Sequence, residues 1–96
     1  MSQKLAGQET KHISLEELAE KVRSREDLTR FVHALQASLK DKPGDWENAE
    51  LGPYLEGIGA WLVDMDGYYK SRGEAVPKQP TWKILGQILL AARVYE

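Results

Sequence analysis

Leu28-Thr29-Arg30-Phe31-Val32-His33-Ala34-Leu35-Gln36-Ala37-Ser38-Leu39 carries its apolar side chains at Leu28, Phe31, Val32, Leu35 and Leu39. Steps of three and four residues follow the turn of an α-helix with one buried face and match no alternating strand pattern. Ser24, with Asp27 three residues on, supplies an N-cap. Lys42-Pro43-Gly44-Asp45 ends the helix, because proline disfavours helical backbone in its predecessor and glycine favours a turn.

The same periodicity extends in both directions. Upstream, Ser14 and Glu17 form a capping box that starts a short helix with Leu15, Leu18, Ala19 and Val22 on one stripe. So short a helix must dock on others to be stable. Residues 1–12 are polar and aperiodic and read as a flexible tail. Downstream, Leu51, Tyr54, Leu55, Ile58, Trp61, Leu62 and Met65 predict a third helix, with Pro53 tolerated in its first turn. Gly57 and Gly59 lie inside it and mark either the close approach of another helix or a break, since interior glycine costs about 1 kcal/mol relative to alanine. Asp66-Gly67, Ser71-Arg72-Gly73, Pro77 and Pro80 predict an irregular loop over 66–80 that would hold Tyr68 and Tyr69. From Thr81 a last helix presents Trp82, Leu85, Ile88, Leu89, Ala92 and Tyr95 on one face, widened by Ile84, Ala91 and Val94. With no hairpin signal, the expectation is an all-α, compact bundle of about four helices. It comprises a polar N-terminal tail, 1–12, and a single helical domain, 13–96.

Composition narrows the function classes. Apolar residues at 42% and charged residues at 29% fit a folded chain rather than a disordered one. The absence of cysteine excludes disulfides and thiolate metal sites. Met1 to Lys11 lacks the apolar centre of a secretory signal, and Ile84–Ala92, interrupted by Gly86 and Gln87, is too short to span a bilayer. A cytoplasmic protein without membrane contact is expected. The net charge of −2 hides a local excess: residues 41–66 hold seven acids and one base. Such a segment repels phosphate backbones, so nucleic acid is not an expected partner.

Motifs for catalysis or metal binding fail on inspection. Asp64-Met65-Asp66-Gly67 resembles part of a calcium loop, but aligning Gly67 with the loop glycine puts Leu62 and Gly73 where acidic ligands are needed. His12 and His33 are far apart, and no serine has the setting of a nucleophile. No cofactor, metal or catalytic residue is assigned. The acids Asp45, Glu47, Glu56, Asp64 and Asp66 could converge with Trp46, Trp61 and Tyr68 in a cleft, which keeps a small hydrolase or ligand-binding domain open as the alternative. Trp46, Tyr68 and Tyr69, in predicted loops beside acids, instead point to an exposed aromatic-acidic patch. The competing structural reading has Trp46 packed down as a lid and Tyr68 capping a helix end.

Asp45-Trp46-Glu47-Asn48, Ala60-Trp61-Leu62 with Asp64-Met65 and Gly67-Tyr68-Tyr69, Pro80-Thr81-Trp82 and the closing Leu90-Ala91-Ala92-Arg93-Val94-Tyr95-Glu96 resemble a family of small bacterial helical domains of unknown function, over residues 24–96. The resemblance implies a compact helical domain of bacterial or phage-related origin and transfers no catalytic residue. The leading expectation is therefore a noncatalytic protein-interaction domain, with Asp45, Trp46, Glu47, Asp64, Asp66, Tyr68 and Tyr69 as its protein-binding residues. One concrete form is an immunity-like binder of a basic partner. The chain would act as a monomer or as a homodimer through the wide face of the last helix.

Overall fold

Three helix starts are fixed by short-range hydrogen bonds. In the computed structural model, which describes residues 13–96, the Glu17 amide donates to Ser14 Oγ and the Ser14 amide to Glu17 Oε1, each at 3.0 Å. Ser24 Oγ accepts from Asp27 N at 3.0 Å, and Thr81 Oγ1 from Ile84 N at 3.0 Å. Each such cap is worth about 1 kcal/mol. The helices are α1, Leu15–Glu20; α2, Arg25–Asp41; α3, Leu51–Ser71; and α4, Trp82–Ala91. A 3₁₀ turn, Pro43–Asp45, joins α2 to the approach to α3. The described residues form four helices and no strand. The expected tail at 1–12 lies outside the described residues. No helix among those described is long and apolar enough to cross a membrane.

α4 is the hub, packing on α1, α2 and α3, whereas among the described residues α3 packs on no helix but α4. Gly86 lies against the core: a Cβ there would stand at ordinary contact distance from Phe31, Val22 and Leu28, 3.5, 3.6 and 3.7 Å. Ala19, Val22, Phe31, Leu35 and Trp46 form the buried core. Lys83–Glu20 at 2.9 Å and Arg93–Glu16 at 3.5 Å tie α1 to α4 and to the residues that follow it. Most of the apolar face on α4 is thus taken up by three helices of the same chain, while Trp82 and Leu85 near its start stay 41% and 37% exposed.

Two sequence expectations need correction. The loop expected at 66–80 begins later, because α3 continues through Gly67, Tyr68 and Tyr69 to Ser71. Burial of Tyr69 and packing of Tyr68 on Trp61 hold the helix through the weak Asp66-Gly67 step. Gly73, at φ +70, ends it, with the Gly73 and Glu74 amides donating to the Lys70 and Tyr69 carbonyls. Second, Leu51, Leu55, Leu62 and Trp82, read as core, are 73%, 55%, 51% and 41% exposed. With one neighbour for a 21-residue helix, only one of the two apolar stripes on α3 can be covered. Its aromatic stripe, Tyr54, Trp61 and Tyr68, is the one turned toward α4 and the chain end.

The glycine question divides. A Cβ at Gly57 would stand 2.6 Å from the Ala92 carbonyl oxygen, so this position is a close approach. Gly59 faces open space, and the helix continues unbroken through both.

Candidate protein-binding surface

The seven sequence-selected residues fall into two groups at opposite ends of α3. Asp45, Trp46 and Glu47 precede its start, while Asp64, Asp66, Tyr68 and Tyr69 occupy its last turns. At 1.5 Å per residue, about 20 Å of helix separates them. No single cleft joins their carboxylates.

Within the first group the acids are exposed and Trp46 is buried. Its indole Nε1 donates to Ser38 Oγ at 3.1 Å. The ring lies 5.7 Å from that of Tyr54 and 5.9 Å from the Arg93 guanidinium carbon. Trp46 is thus a lid on the core, not an exposed hot spot. Asn48, which carried no role in the sequence-based site, is the polar centre of this end. Its Nδ2 donates to the carbonyls of Ala92 at 2.9 Å and Tyr95 at 2.8 Å, and its amide donates to Arg93 O at 2.7 Å. Three bonds from one buried residue clamp the end of the chain onto the start of α3, beside Gly57, where a Cβ would crowd the same carbonyls.

In the second group, Asp64 accepts the Tyr95 hydroxyl at 2.6 Å, which raises the Tyr95 phenol above its ordinary range. Tyr68 stacks edge-on to Trp61 at 5.0 Å and under the Arg72 guanidinium at 5.0 Å. Tyr69 is 4% exposed and donates to Gln87 Oε1 at 2.7 Å. Burial pushes its phenol up, aided by Tyr68, Glu74 and Glu20. Of the seven, only Asp45, Glu47, Asp64 and Asp66 are exposed; the aromatic members mainly hold the fold together.

Much of the motif pattern in the sequence is therefore a structural lock. Trp46 and Asn48, Trp61, Tyr68 and Tyr69, and Ala92, Arg93 and Tyr95 hold α3 against α4 and the residues after it. These stretches all lie within the span over which the chain matches a known family. The chain belongs to the family of unknown function DUF7660. The match covers residues 24–96, starting at the N-cap of α2. Helix α1 lies outside the match, although Ala19 and the following Val22 complete the core. Comparison with curated proteins and with solved structures gave no match.

Surface chemistry unused by the lock lies on the outer side of α3. Leu51, Leu55, Leu62 and Val63 are 73%, 55%, 51% and 81% exposed, and Gly52 and Gly59 among them face open space. Exposed Glu47 and Glu50 at the start of α3 and Asp66 one turn beyond Leu62 border the leucine stripe; Val63 and Glu56 lie about a quarter turn round the helix from it, and Asp64 faces Tyr95 on the inner side. Among the described residues no three His, Asp or Glu side chains stand close enough to hold a metal ion. Glu20 is held below the ordinary carboxylate range chiefly by its hydrogen bond to Lys83, which identifies it as part of an ion pair between helices.

Proposed function

We propose that the chain is a noncatalytic protein-interaction domain that binds a basic partner through the outer side of α3. The observation that carries this reading is the exposed apolar stripe, Leu51, Leu55 and Leu62, on a helix that packs on one other among the described residues, with acids at its start and beside it. Contiguous apolar surface rimmed by charge marks interaction sites. The acids supply steering and partner choice, and the leucines supply apolar area to bury. Neutralisation of a basic toxin, in the manner of an immunity protein, is one form of this activity. Of the sequence-selected residues, Asp45, Glu47 and Asp66 contribute to the rim, while Asp64, Trp46, Tyr68 and Tyr69 hold the helix that carries it.

A photo-crosslinking side chain at Leu62, compared with one at Lys78, tests the proposal in the native host. The expected result is a Lys/Arg-rich protein trapped from Leu62 only, with trapping suppressed when salt is raised before irradiation and lost when Leu51→Arg/Leu55→Arg is combined with the Leu62 crosslinker. Equal trapping from both positions, or a partner indifferent to salt, would overturn it.

A second reading, a ligand-binding domain, is favoured by one observation. A cavity of about 450 Å³ is bounded by Trp61, Tyr68, Tyr95, Glu20 and Arg72, and the buried Trp61 indole N–H has no hydrogen-bond partner among the described residues. Cavities of this size take small molecules. A fragment screen followed by Trp61 fluorescence would favour that reading if a fragment quenches the wild type and not a Tyr68→Ala variant.

A further inference from the structure

Helices α2 and α3 both lean on α4 but do not pack on each other. The gap between them is a groove of about 380 Å³ lined by Val32 and Leu39 of α2, Leu51 and Tyr54 of α3, Leu89 of α4, and Trp46. The polar tips that could have faced a ligand are already engaged. The Tyr54 hydroxyl donates to the Leu89 carbonyl at 2.7 Å, and the Trp46 indole donates to Ser38. What the groove offers is apolar surface, with Val32 at 40% and Leu51 at 73% exposure on its lips. From Leu51 the apolar stripe continues along α3 through Leu55, Ile58 and Leu62, in steps of four, three and four residues, over about 16 Å. Glu47 and Glu50 stand at the groove's end of α3, and Glu56 one turn beyond Gly52.

An apolar groove cannot satisfy the backbone N–H and C=O groups of an extended peptide, and burying them unpaired costs several kcal/mol. Nor do the described residues include a strand edge to which such a peptide could add. An α-helix satisfies its own backbone and repeats its side chains every 5.4 Å, close to the spacing of the stripe. Open Gly59 lets a second helix come near. From this, resting on the protein-interaction reading above, we infer that the partner contributes one amphipathic helix. A leucine or aromatic side chain enters the groove, further apolar residues lie along Leu55 and Leu62, and lysines or arginines face the flanking glutamates.

The inference is tested on the full chain with a synthetic amphipathic Leu/Lys peptide about 14 residues long, near the shortest that forms a stable helix. A peptide of the same composition scrambled to lose the helical period, and one with Glu in place of Lys, serve as controls. The expected result is backbone NMR shifts at Val32, Leu39, Leu51 and Leu55 with the periodic lysine peptide and none with either control. Binding should weaken on the order of tenfold in Leu51→Arg, the usual scale for a central contact residue. Leu51 is exposed, so the variant keeps the fold, which circular dichroism checks. The absence of shifts up to millimolar peptide, or equal binding of the scrambled peptide, overturns the helix-in-groove inference even if Leu62 crosslinks to a basic protein. Equal binding of the glutamate peptide leaves the groove standing but overturns the basic partner, and the proposed function with it. Concentration-dependent dimers that are lost in Leu51→Arg would assign the groove to a second copy and overturn both.

Discussion

The two sides of α3 have similar apolar content and opposite fates. On the inner side Trp61 is 8% exposed, ringed by Tyr68 and Tyr95 at 5.0 and 5.2 Å. On the outer side Leu62, its immediate neighbour in sequence, is 51% exposed. A periodic pattern counts apolar positions but does not count the helices available to cover them. One neighbour covers one stripe, and the remaining stripe is surface that the fold itself does not explain.

The comparison breaks first at Trp61 and Leu62. Trp61→Ala should cost about 3–5 kcal/mol in urea unfolding, while Leu62→Ala should stay within about 0.5 kcal/mol; similar losses would mean that the outer stripe is packed after all. Next come the two glycines. Gly57→Ala drives a Cβ to 2.6 Å from a backbone carbonyl and should cost about 2–3 kcal/mol as overpacking. Gly59→Ala, two residues on, should add about 1 kcal/mol of stability, so the two substitutions move thermal unfolding in opposite directions. Asn48→Ala removes the two side-chain hydrogen bonds to the Ala92 and Tyr95 carbonyls while keeping the backbone bond to Arg93, and should cost about 1–2 kcal/mol. Loss of amide protection at Tyr54 ahead of Phe31 in hydrogen exchange would place that damage at the start of α3.

The smallest effect is on pH dependence. The phenols of Tyr54, Tyr69 and Tyr95 are all raised, so folding favours their neutral forms. Their contribution is complete below about pH 10, the unfolded value, and is lost as pH rises through the folded values. Glu20 is lowered, so its contribution is present above its unfolded value and is lost as pH falls through the folded one. Chemical denaturation across pH should show an alkaline decline that Tyr69→Phe reduces. An unchanged decline would separate those hydroxyl contacts from stability.

Legibility in the sequence followed range. The Ser14, Ser24 and Thr81 caps and the α2 stripe were readable because each motif closes within a few residues. The end of α3 was not, because Gly67 alone argues for a stop and the anchors that override it, Trp61 and Gln87, act through side-chain packing. At the candidate site, Asp45, Glu47 and Asp66 were readable as exposed acids. Burial of Trp46 and Tyr69 depends on Ser38, Arg93 and Gln87, distant in the chain, and no local pattern records them. Asn48 could be quoted as part of a motif, but its use required the chain end to be in place.

That use has a consequence for the order in which the molecule is made. The Asn48 side chain reaches carbonyls 44 and 47 positions further along the chain, and the groove between α2 and α3 needs Leu89 for part of its lining. During synthesis α1 and α2 emerge first, while α3 gains its packing only after α4 and the residues following it have been made. A partner that recognises the finished groove would therefore bind only once residues 89–95 are docked.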